Sequence, residues 1–420
     1  MVDLGINHHS AVGQPMARCP GRRPAGEWRA RLFAVTSSTE RRTSVFLAVR
    51  DIRFAKGRFA LMGGVVALIT LLLVMLSGLT AGLGDQSTSA IDQLGTGSGD
   101  AASKPVDRIV FGAPGSTTAK ASFTESAVTA AQVESWRNQP GVRGAEALGI
   151  SQTRLQSVAE AGGSPTGTTN VAVFGVAPDS RLSPSPVQPG TVVIGRSVAE
   201  ALSLGIGDPA SVGGTELTVG AVVEDQWYSH TSVVWTVLPV WAELAHLVDP
   251  EQLGTVAAVF FEEGATVDEA AANATARTVS ASRSGSFQAL GSYQSENGSL
   301  TLMQAFLYGI SALVIVAFLT VWTIQRTRDI AVLKAMGGSS SYILRDAVTQ
   351  AAVVLLAGAV TGGGIGILGG LLAMQAVPFL VNPATTLLPI LGIITLGLAG
   401  AVLAVSRVTK VDALIALGGN

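Results

Sequence analysis

Three long stretches of this chain contain no Asp, Glu, Lys or Arg: Phe59 to Gly84, Leu302 to Gln325, and Ala347 to Ser406. A helix crossing the hydrocarbon of a bilayer needs about 20 apolar residues, and nothing in that layer solvates a charge. The first stretch predicts one crossing, Ala60–Leu83, and the second another, Ala305–Ile324. The third is 60 residues long, too long for one passage. Within it Pro378 and the pair Asn382–Pro383 break a helix and make a turn. It therefore predicts crossings at Ala351–Gln375 and Thr385–Val405. Soluble helices of such length carry a polar face, and these have none. The chain reads as a membrane protein with a four-helix transmembrane region.

The charges that do occur are segregated. Residues 1–58, 325–346 and 407–420 together hold 17 of the 27 Lys and Arg residues. Residues 85–301 hold the other 10 against 22 Asp and Glu, a net charge of −12. Basic segments stay on the cytoplasmic side of a membrane. Both termini and the loop 325–346 are therefore expected to be cytoplasmic, and the large acidic loop to be extracytoplasmic. The first span is too long for a signal-peptide core and reads as a signal anchor in a cell (inner or plasma) membrane. A formal net charge of −2 gives no basic surface for a nucleic acid.

The large loop lacks cysteine, since the single Cys is Cys19, so it must fold on its own apolar core. Its β-rich runs are Arg108–Phe111, Val171–Val176, Thr191–Ile194, Glu216–Val223, Ser232–Leu238 and Val256–Phe261. Helical periods cover Ser126–Arg137, Ser197–Leu204, Val240–Leu247 and Val267–Val279. Intermingled strands and helices predict a large α+β domain, of one or two lobes, at 85–301 between the first and second crossings. Ser284–Asn297 is polar and reads as a linker. Residues 1–44 have no period and read as a disordered arm or as sequence upstream of a true start at Met16 or near Val45. Phe46–Phe59 alternates apolar and basic residues, as an interfacial helix facing lipid phosphates does.

Between the second and third crossings, Thr323–Arg345 shows Ile324, Ile330, Leu333 and Met336 at near-helical spacing with Arg326, Arg328, Asp329 and Lys334 between them. Gly337 and Gly338 then stop the helix, and Ser339–Ser341 can cap the next. A loop this short cannot hold an enzyme but can present one amphipathic helix to a soluble partner.

Nothing in the chain binds a nucleotide by itself. None of the five lysines follows a glycine, as a phosphate-binding loop requires. His8, His9, His230 and His246 have no metal-ligand spacing. The spans carry no ionisable Asp, Glu, Lys or Arg for a proton relay. The chain is thus expected to be a non-catalytic subunit without a metal or bound cofactor, using energy from another polypeptide. Gly358, Gly362, Gly366 and Gly370 lie at strict i,i+4 spacing in the third span. Small residues on one face let helix backbones approach closely in lipid, whether the neighbour lies in this chain or in a second copy.

These features resemble the permease subunit of FtsX/MacB-type ABC transporters: one crossing, a large outer domain, three further crossings. The stretch Arg326-Thr-Arg-Asp-Ile-Ala-Val-Leu-Lys-Ala-Met-Gly-Gly338 is similar to the family's R-x-R-E-I-x-x-L-K/R-A-x-G-A/G segment, where a coupling helix docks on the ATPase. The tail from Arg407 to Leu417 resembles the closing D-P-x-x-A-L segment, with Ala413 at the usual proline. Val192–Ser197, Leu204–Asp208 and Leu217–Gly220 look like the family's periplasmic core. Phe46–Ile52 and Leu76–Leu83 look most like the HrtB/DevC-type exporter branch, which includes haem-efflux permeases.

The resemblance implies two permease copies working with two cytoplasmic ABC ATPases, which bind ATP and Mg and whose ATP-driven dimerisation pushes on Asp329–Gly337. It points to an exporter of a hydrophobic or amphipathic compound such as haem, a peptide or a lipid-like toxin, entering from the membrane lipid. Met75, Met303 and Tyr308 are candidate cargo contacts near the spans, and His230 beside Trp227 and Tyr228 is a further one. Two other readings stand beside export. One is an FtsX-like mechanical regulator of a cell-wall hydrolase, and the other is an antimicrobial-peptide sensing or resistance permease, whose cationic ligands the acidic domain would attract.

Overall fold

A computed structural model describes residues 56–97, 104–113, 118–158, 165–247, 249–325, 332, 336 and 339–408. Four of its helices are long and apolar enough to cross a membrane: α1 (Lys56–Asp92), α6 (Gly291–Gln325), α7 (Ser340–Ala373) and α8 (Pro383–Val408), numbered in chain order. Met62, Val66, Leu73, Ile315, Leu319, Leu355 and Ile393 form the bundle core. Thr70 and Ser311 inside the helices donate back to the carbonyl four residues earlier, which pairs their hydroxyls within the helix itself. Ser339 caps α7, its Oγ accepting from the Tyr342 amide at 3.2 Å as the sequence predicts.

Two of these helices overrun the membrane. The charge pattern ends the first crossing at Leu83, but α1 continues to Asp92 and buries Ala90 and Ile91 in the adjoining domain. The polar stretch Ser284–Asn297, expected as a linker, is a 3-10 turn (Gly285–Ala289) followed at once by α6. Its Ser, Asn and Gly composition signals a loop, yet Tyr293 packs edge-on to Phe287 at 5.9 Å and anchors the helix start. Both helices therefore run unbroken from bundle to domain.

The glycine ridge of α7 packs against this chain's own α1. A Cβ at Gly358 would lie 2.8 Å from the Gly63 carbonyl oxygen, and one at Gly362 only 2.0 Å from that of Ala67. At Gly366 it would meet Val74 at 3.0 Å, and at Gly370 the Phe379 ring at 2.5 Å. Phe379 comes from the α7–α8 turn and also fills the notch left by Gly78 on α1. There the Leu380 amide donates to the Gly78 carbonyl at 3.0 Å, satisfying a backbone group outside any helix.

Residues between α1 and α6 build the head. Its strands are β1 (Arg108–Phe111), β2 (Val128–Thr129), β3 (Val142–Val158), β4 (Pro165–Val176), β5 (Thr191–Gly195), β6 (Pro209–Val212), β7 (Thr215–Val223), β8 (Trp227–Tyr228), β9 (Thr231–Val237), β10 (Gln252–Gly254), β11 (Val256–Phe261) and β12 (Val279–Ser282). Its helices are α2 (Ala130–Arg137), α3 (Arg196–Leu202), α4 (Leu238–Leu244) and α5 (Glu269–Ala276). The main sheet runs β12-β1-β11-β3-β4-β9-β5-β7-β6, and β6 pairs back onto β3 to close a ring. Strand β3 joins two lobes. Residues 142–148 pair with β11, and residues 149–158 pair with β4.

Each lobe has its own core. Leu155, Val173, Ile194, Val219, Val234 and Trp241 fill the ring. Val110, Trp136, Ala147, Val259 and Ala272 fill the space between α2, α5 and the other lobe's sheet. A third cluster, with Phe111, Leu148, Phe174 and Trp235, receives Ala90, Ile91 and Leu94 from the first membrane helix. The predicted strands and helices of the head appear within a few residues of their expected limits, save Val171–Val176, whose strand starts at Pro165, and Ser126–Arg137, whose first residues form β2. The 17-residue β3 was not expected at all.

Candidate functional site: the junction between bundle and head

The turn between β8 and β9 sits against the head ends of α1 and α6. Its central residues Ser229 and His230 have φ of 49° and 64°, the left-handed pair of a type I′ hairpin. Non-glycine residues hold that conformation at a cost of about 1 kcal/mol each, so other bonds must fix it. The Ser229 amide donates to the Ser87 carbonyl at 3.1 Å, and the His230 amide to that of Gln86 at 2.9 Å. The Trp227 amide donates to Ser89 Oγ at 3.0 Å. Ser229 Oγ meets Ser292 Oγ at 2.6 Å, on α6.

His230 completes the clasp. Its Nε2 lies 2.8 Å from Glu296 Oε2 on α6 and 3.2 Å from Ser87 Oγ on α1. One imidazole thus ties both membrane helices to one hairpin, and the site is partly shielded, with the His230 side chain 32% exposed. Behind the turn, Tyr228 belongs to a chain of edge-to-face rings: Phe111–Phe123 at 5.1 Å, Phe123–Tyr228 at 5.9 Å, Tyr228–Phe174 at 5.5 Å, Phe174–Trp235 at 5.1 Å. Burial pushes the Tyr228 phenol well above its ordinary range and keeps it neutral. The turn thus joins the head ends of α1 and α6 to the aromatic core of the head.

A cavity of about 420 Å³ opens beside this clasp. Thr80, Asp85, Asp92, Asn297 and Gln304 give it a polar wall, and Leu380 and Leu388 an apolar one. A second cavity, of about 450 Å³, is an apolar groove between α1 and α7 lined by Phe59, Gly63, Val354 and Gly358.

The expected cargo contacts are not gathered at either cavity. Met75 faces α7, where a Cβ at Gly369 would lie 3.4 Å from its sulfur. Tyr308 packs on Gly392 of α8, and Met303 is 49% exposed on the α6 surface. His230 alone among the candidates sits in a bonded constellation. Its partners Ser87 and Glu296 carry no local sequence signal, lying 143 and 66 residues away from it. In the predicted coupling helix, Arg326, Arg328, Asp329, Ile330, Leu333, Lys334 and Gly337 lie outside the described residues, as do residues 1–55 and 409–420. Met336 is described and is 73% exposed, its amide donating to the Val332 carbonyl at 3.0 Å. Among the described residues no group of His, Cys, Asp and Glu could hold a metal ion.

The model of the MacB-like periplasmic core domain matches residues 59–277, more than half of the chain, and that of the FtsX-like permease C-terminal matches residues 285–413. The chain belongs to the MacB/FtsX-type permease family. The head of this permease is accordingly an extracytoplasmic domain between its first two helices, and the chain is a multi-pass membrane protein. Among curated relatives, a putative hemin transport system permease protein HrtB of Staphylococcus haemolyticus is 32% identical over 130 residues, 31% of this chain and 37% of that protein. The HrtB of Staphylococcus epidermidis is 28% identical over 131 residues, with the same coverage. An uncharacterized ABC transporter permease of Mycobacterium bovis is 34% identical over 122 residues, 29% of this chain and 34% of that protein. The match to the curated relatives thus spans little more than a third of their length. Two solved structures are also similar to the head. The extracellular domain of the noncanonic ABC-type transporter YknZ from Gram-positive bacteria is 14% identical with a TM-score of 0.30, covering 42% of this chain and 99% of that one. The periplasmic region of MacB from Actinobacillus actinomycetemcomitans is 9% identical with a TM-score of 0.31, covering 46% and 92%.

Proposed function

We propose that this permease is the membrane subunit of an ATP-driven exporter that moves a hydrophobic or amphipathic compound by mechanical transmission. The observation that carries the reading is the junction. Two membrane helices run unbroken into the extracytoplasmic head, and His230 locks both to one hairpin. The chain has no nucleotide-binding motif, so the stroke comes from a separate cytoplasmic ABC ATPase docked on Arg326–Gly337, with both termini on that side. A second copy of the chain completes the pathway. The relatives named as hemin transport permeases make haem the first cargo to test.

Replacing Leu333 by Asp puts a charge into the apolar docking contact. With Leu333→Asp, stimulation of the co-expressed ATPase and its co-purification should both disappear while the permease stays folded. Survival of both would remove the docking assignment. Haem as cargo predicts a shifted Soret band on addition to the purified permease, and an unchanged spectrum excludes it. The same junction would also serve a mechanical regulator of a cell-wall hydrolase. That reading predicts altered cell shape on deletion, where export predicts altered sensitivity to the compound.

A further inference from the structure

The apolar groove between α1 and α7 lies at the end of the bundle away from the extracytoplasmic head, and so in the cytoplasmic leaflet. Its lining runs from Phe59 to Ala67 on one helix and from Val353 to Thr361 on the other. Helix over that span advances about 12 Å, close to the roughly 15 Å of hydrocarbon in one leaflet. Its mouth is at Phe59, the first residue of the charge-free window, which is held edge-on to Trp322 of α6 at 5.7 Å.

Small residues make the wall. Ala60, Gly63, Gly64, Ala67, Ala357 and Gly358 put no long side chain into the groove, and nothing lies within 4 Å of a Cβ added at Gly64. Among the described residues lining it none is charged. Its polar side chain, Thr361, donates its hydroxyl to the Ala357 carbonyl at 2.8 Å. The wall thus offers an occupant dispersion contacts and no hydrogen bond. An acyl chain gains from such a wall, whereas a polar group would lose its hydration without replacement.

Charge at the mouth selects among lipids. The chain entering α1 carries Arg50, Arg53, Lys56 and Arg58 against Asp51. Lys56 occupies the position one turn before Ala60, on the helical face that bears the groove. On α7 the nearest charged residues are Arg345, which is exposed, and Asp346, whose Oδ2 accepts from Gln350 Nε2 at 2.9 Å. Basic residues next to a membrane helix on the cytoplasmic side attract anionic headgroups. A second copy of the chain fits the groove less well. In a two-fold pair the same face of each copy meets itself, so the basic entry of one α1 would stand against that of the other.

We infer that the groove binds one anionic phospholipid of the cytoplasmic leaflet, an acyl chain lying along Gly63, Gly64 and Ala357 and the phosphate at the basic start of α1. The occupant touches both helices beside the close approach of Gly358 to the Gly63 carbonyl, and so braces the α1–α7 contact from its open side. The inference stands on the bundle alone and does not require that the permease export anything.

The test uses the full chain, delipidated in detergent and incubated with equimolar dioleoyl phosphatidylglycerol and dioleoyl phosphatidylcholine, with retained lipid counted by native mass spectrometry. The native chain should keep phosphatidylglycerol over phosphatidylcholine by about fivefold or more, the factor that one basic residue near a membrane surface supplies. Gly64→Leu and Ala357→Leu each place a side chain in the groove from one wall, and each should lower that retention severalfold. Gly309→Leu adds the same bulk on α6, where nothing lies within 4 Å of the added Cβ, and should leave it unchanged. Lys56→Gln combined with Arg58→Gln should bring phosphatidylglycerol down to the level of phosphatidylcholine. Circular dichroism checks that each variant is folded. Equal retention of the two lipids by the native chain overturns the proposal, as does unchanged retention in both groove variants. Efficient disulfide cross-linking of Gly64→Cys between two copies in native membranes also overturns it, in favour of an interface between copies.

Discussion

Replacing Gly362 by Ala tests whether the membrane region is held by backbone contact between α1 and α7. The added Cβ would stand 2.0 Å from the Ala67 carbonyl oxygen and 2.7 Å from its carbonyl carbon. Real Cβ contacts of this kind require at least 3 Å, so the helices must part by about 1 Å over the turns around the contact. Alanine itself favours helix over glycine by about 1 kcal/mol, while overpacking a close interface costs roughly 1–3 kcal/mol or more. With backbone rather than a flexible side chain as the obstacle, the cost lies toward the upper end of that range and the second effect wins, for a net loss of up to about 2 kcal/mol. Gly364 is the internal control, because nothing lies within 4 Å of its added Cβ. Gly366 is intermediate, meeting the Val74 side chain at 3.0 Å. The midpoint of SDS unfolding, followed by circular dichroism, should fall in the order Gly364→Ala, Gly366→Ala, Gly362→Ala. If Gly362→Ala is as stable as Gly364→Ala, the close approach of the two helices is wrong.

The clasp and the head give two further expectations. A double-mutant cycle of His230→Ala and Glu296→Gln should show coupling of about 1 kcal/mol, together with faster amide exchange in 226–232 and an intact bundle; additive effects would mean that the pair is not in contact. In the head, Arg108 donates to Glu269 through Nε at 2.7 Å and Nη2 at 2.5 Å, and with a bond from Ser280 this holds the Glu269 carboxyl below its ordinary value of 4.5. A lowered folded-state pKa stabilises above the unfolded value and loses that stability as pH falls through the folded one. Thermal midpoints measured between about pH 3 and pH 6 should therefore drop on the acid side in the native chain, and Glu269→Gln should flatten that limb. An unchanged acid limb would discard the ion pair as its source.

The membrane spans were legible because lipid imposes one rule on every residue of a crossing, and the charge-free windows state it directly. What lay just beyond Leu83 and before Ala305 was not. The continuation of α1 through Gln86, Ser87 and Thr88 is paid for by burial in a head that lies elsewhere in the sequence. Strand β3 was missed for a related reason. Its residues include Gly144, Ala145, Glu146, Gly149 and Gln152, a composition with little strand preference, and it is held by four neighbours, β11, β4, β6 and the indole resting on Gly149. By contrast Arg108–Phe111 and Val256–Phe261 are central, largely buried and rich in Ile, Val and Phe, and they form where their residues predict. The glycine spacing announced close packing, but only the folded chain shows that α1 is the partner. His230 stood out beside two aromatic residues, whereas Ser87 and Glu296 belong to the site solely because two helices end on either side of the turn.

The continuity of α1 makes its length between membrane and head an exact quantity. Each residue of an α-helix advances the chain by 1.5 Å and turns it by about 100°. A single inserted or deleted residue between Leu83 and Ser87 would swing Ala90, Ile91 and Leu94 away from the pocket that receives them, while Gly63 and Ala67 stayed locked in the bilayer. Evolution can exchange side chains in that short neck, but it cannot change the count, and among distant members of the family the gaps should fall elsewhere.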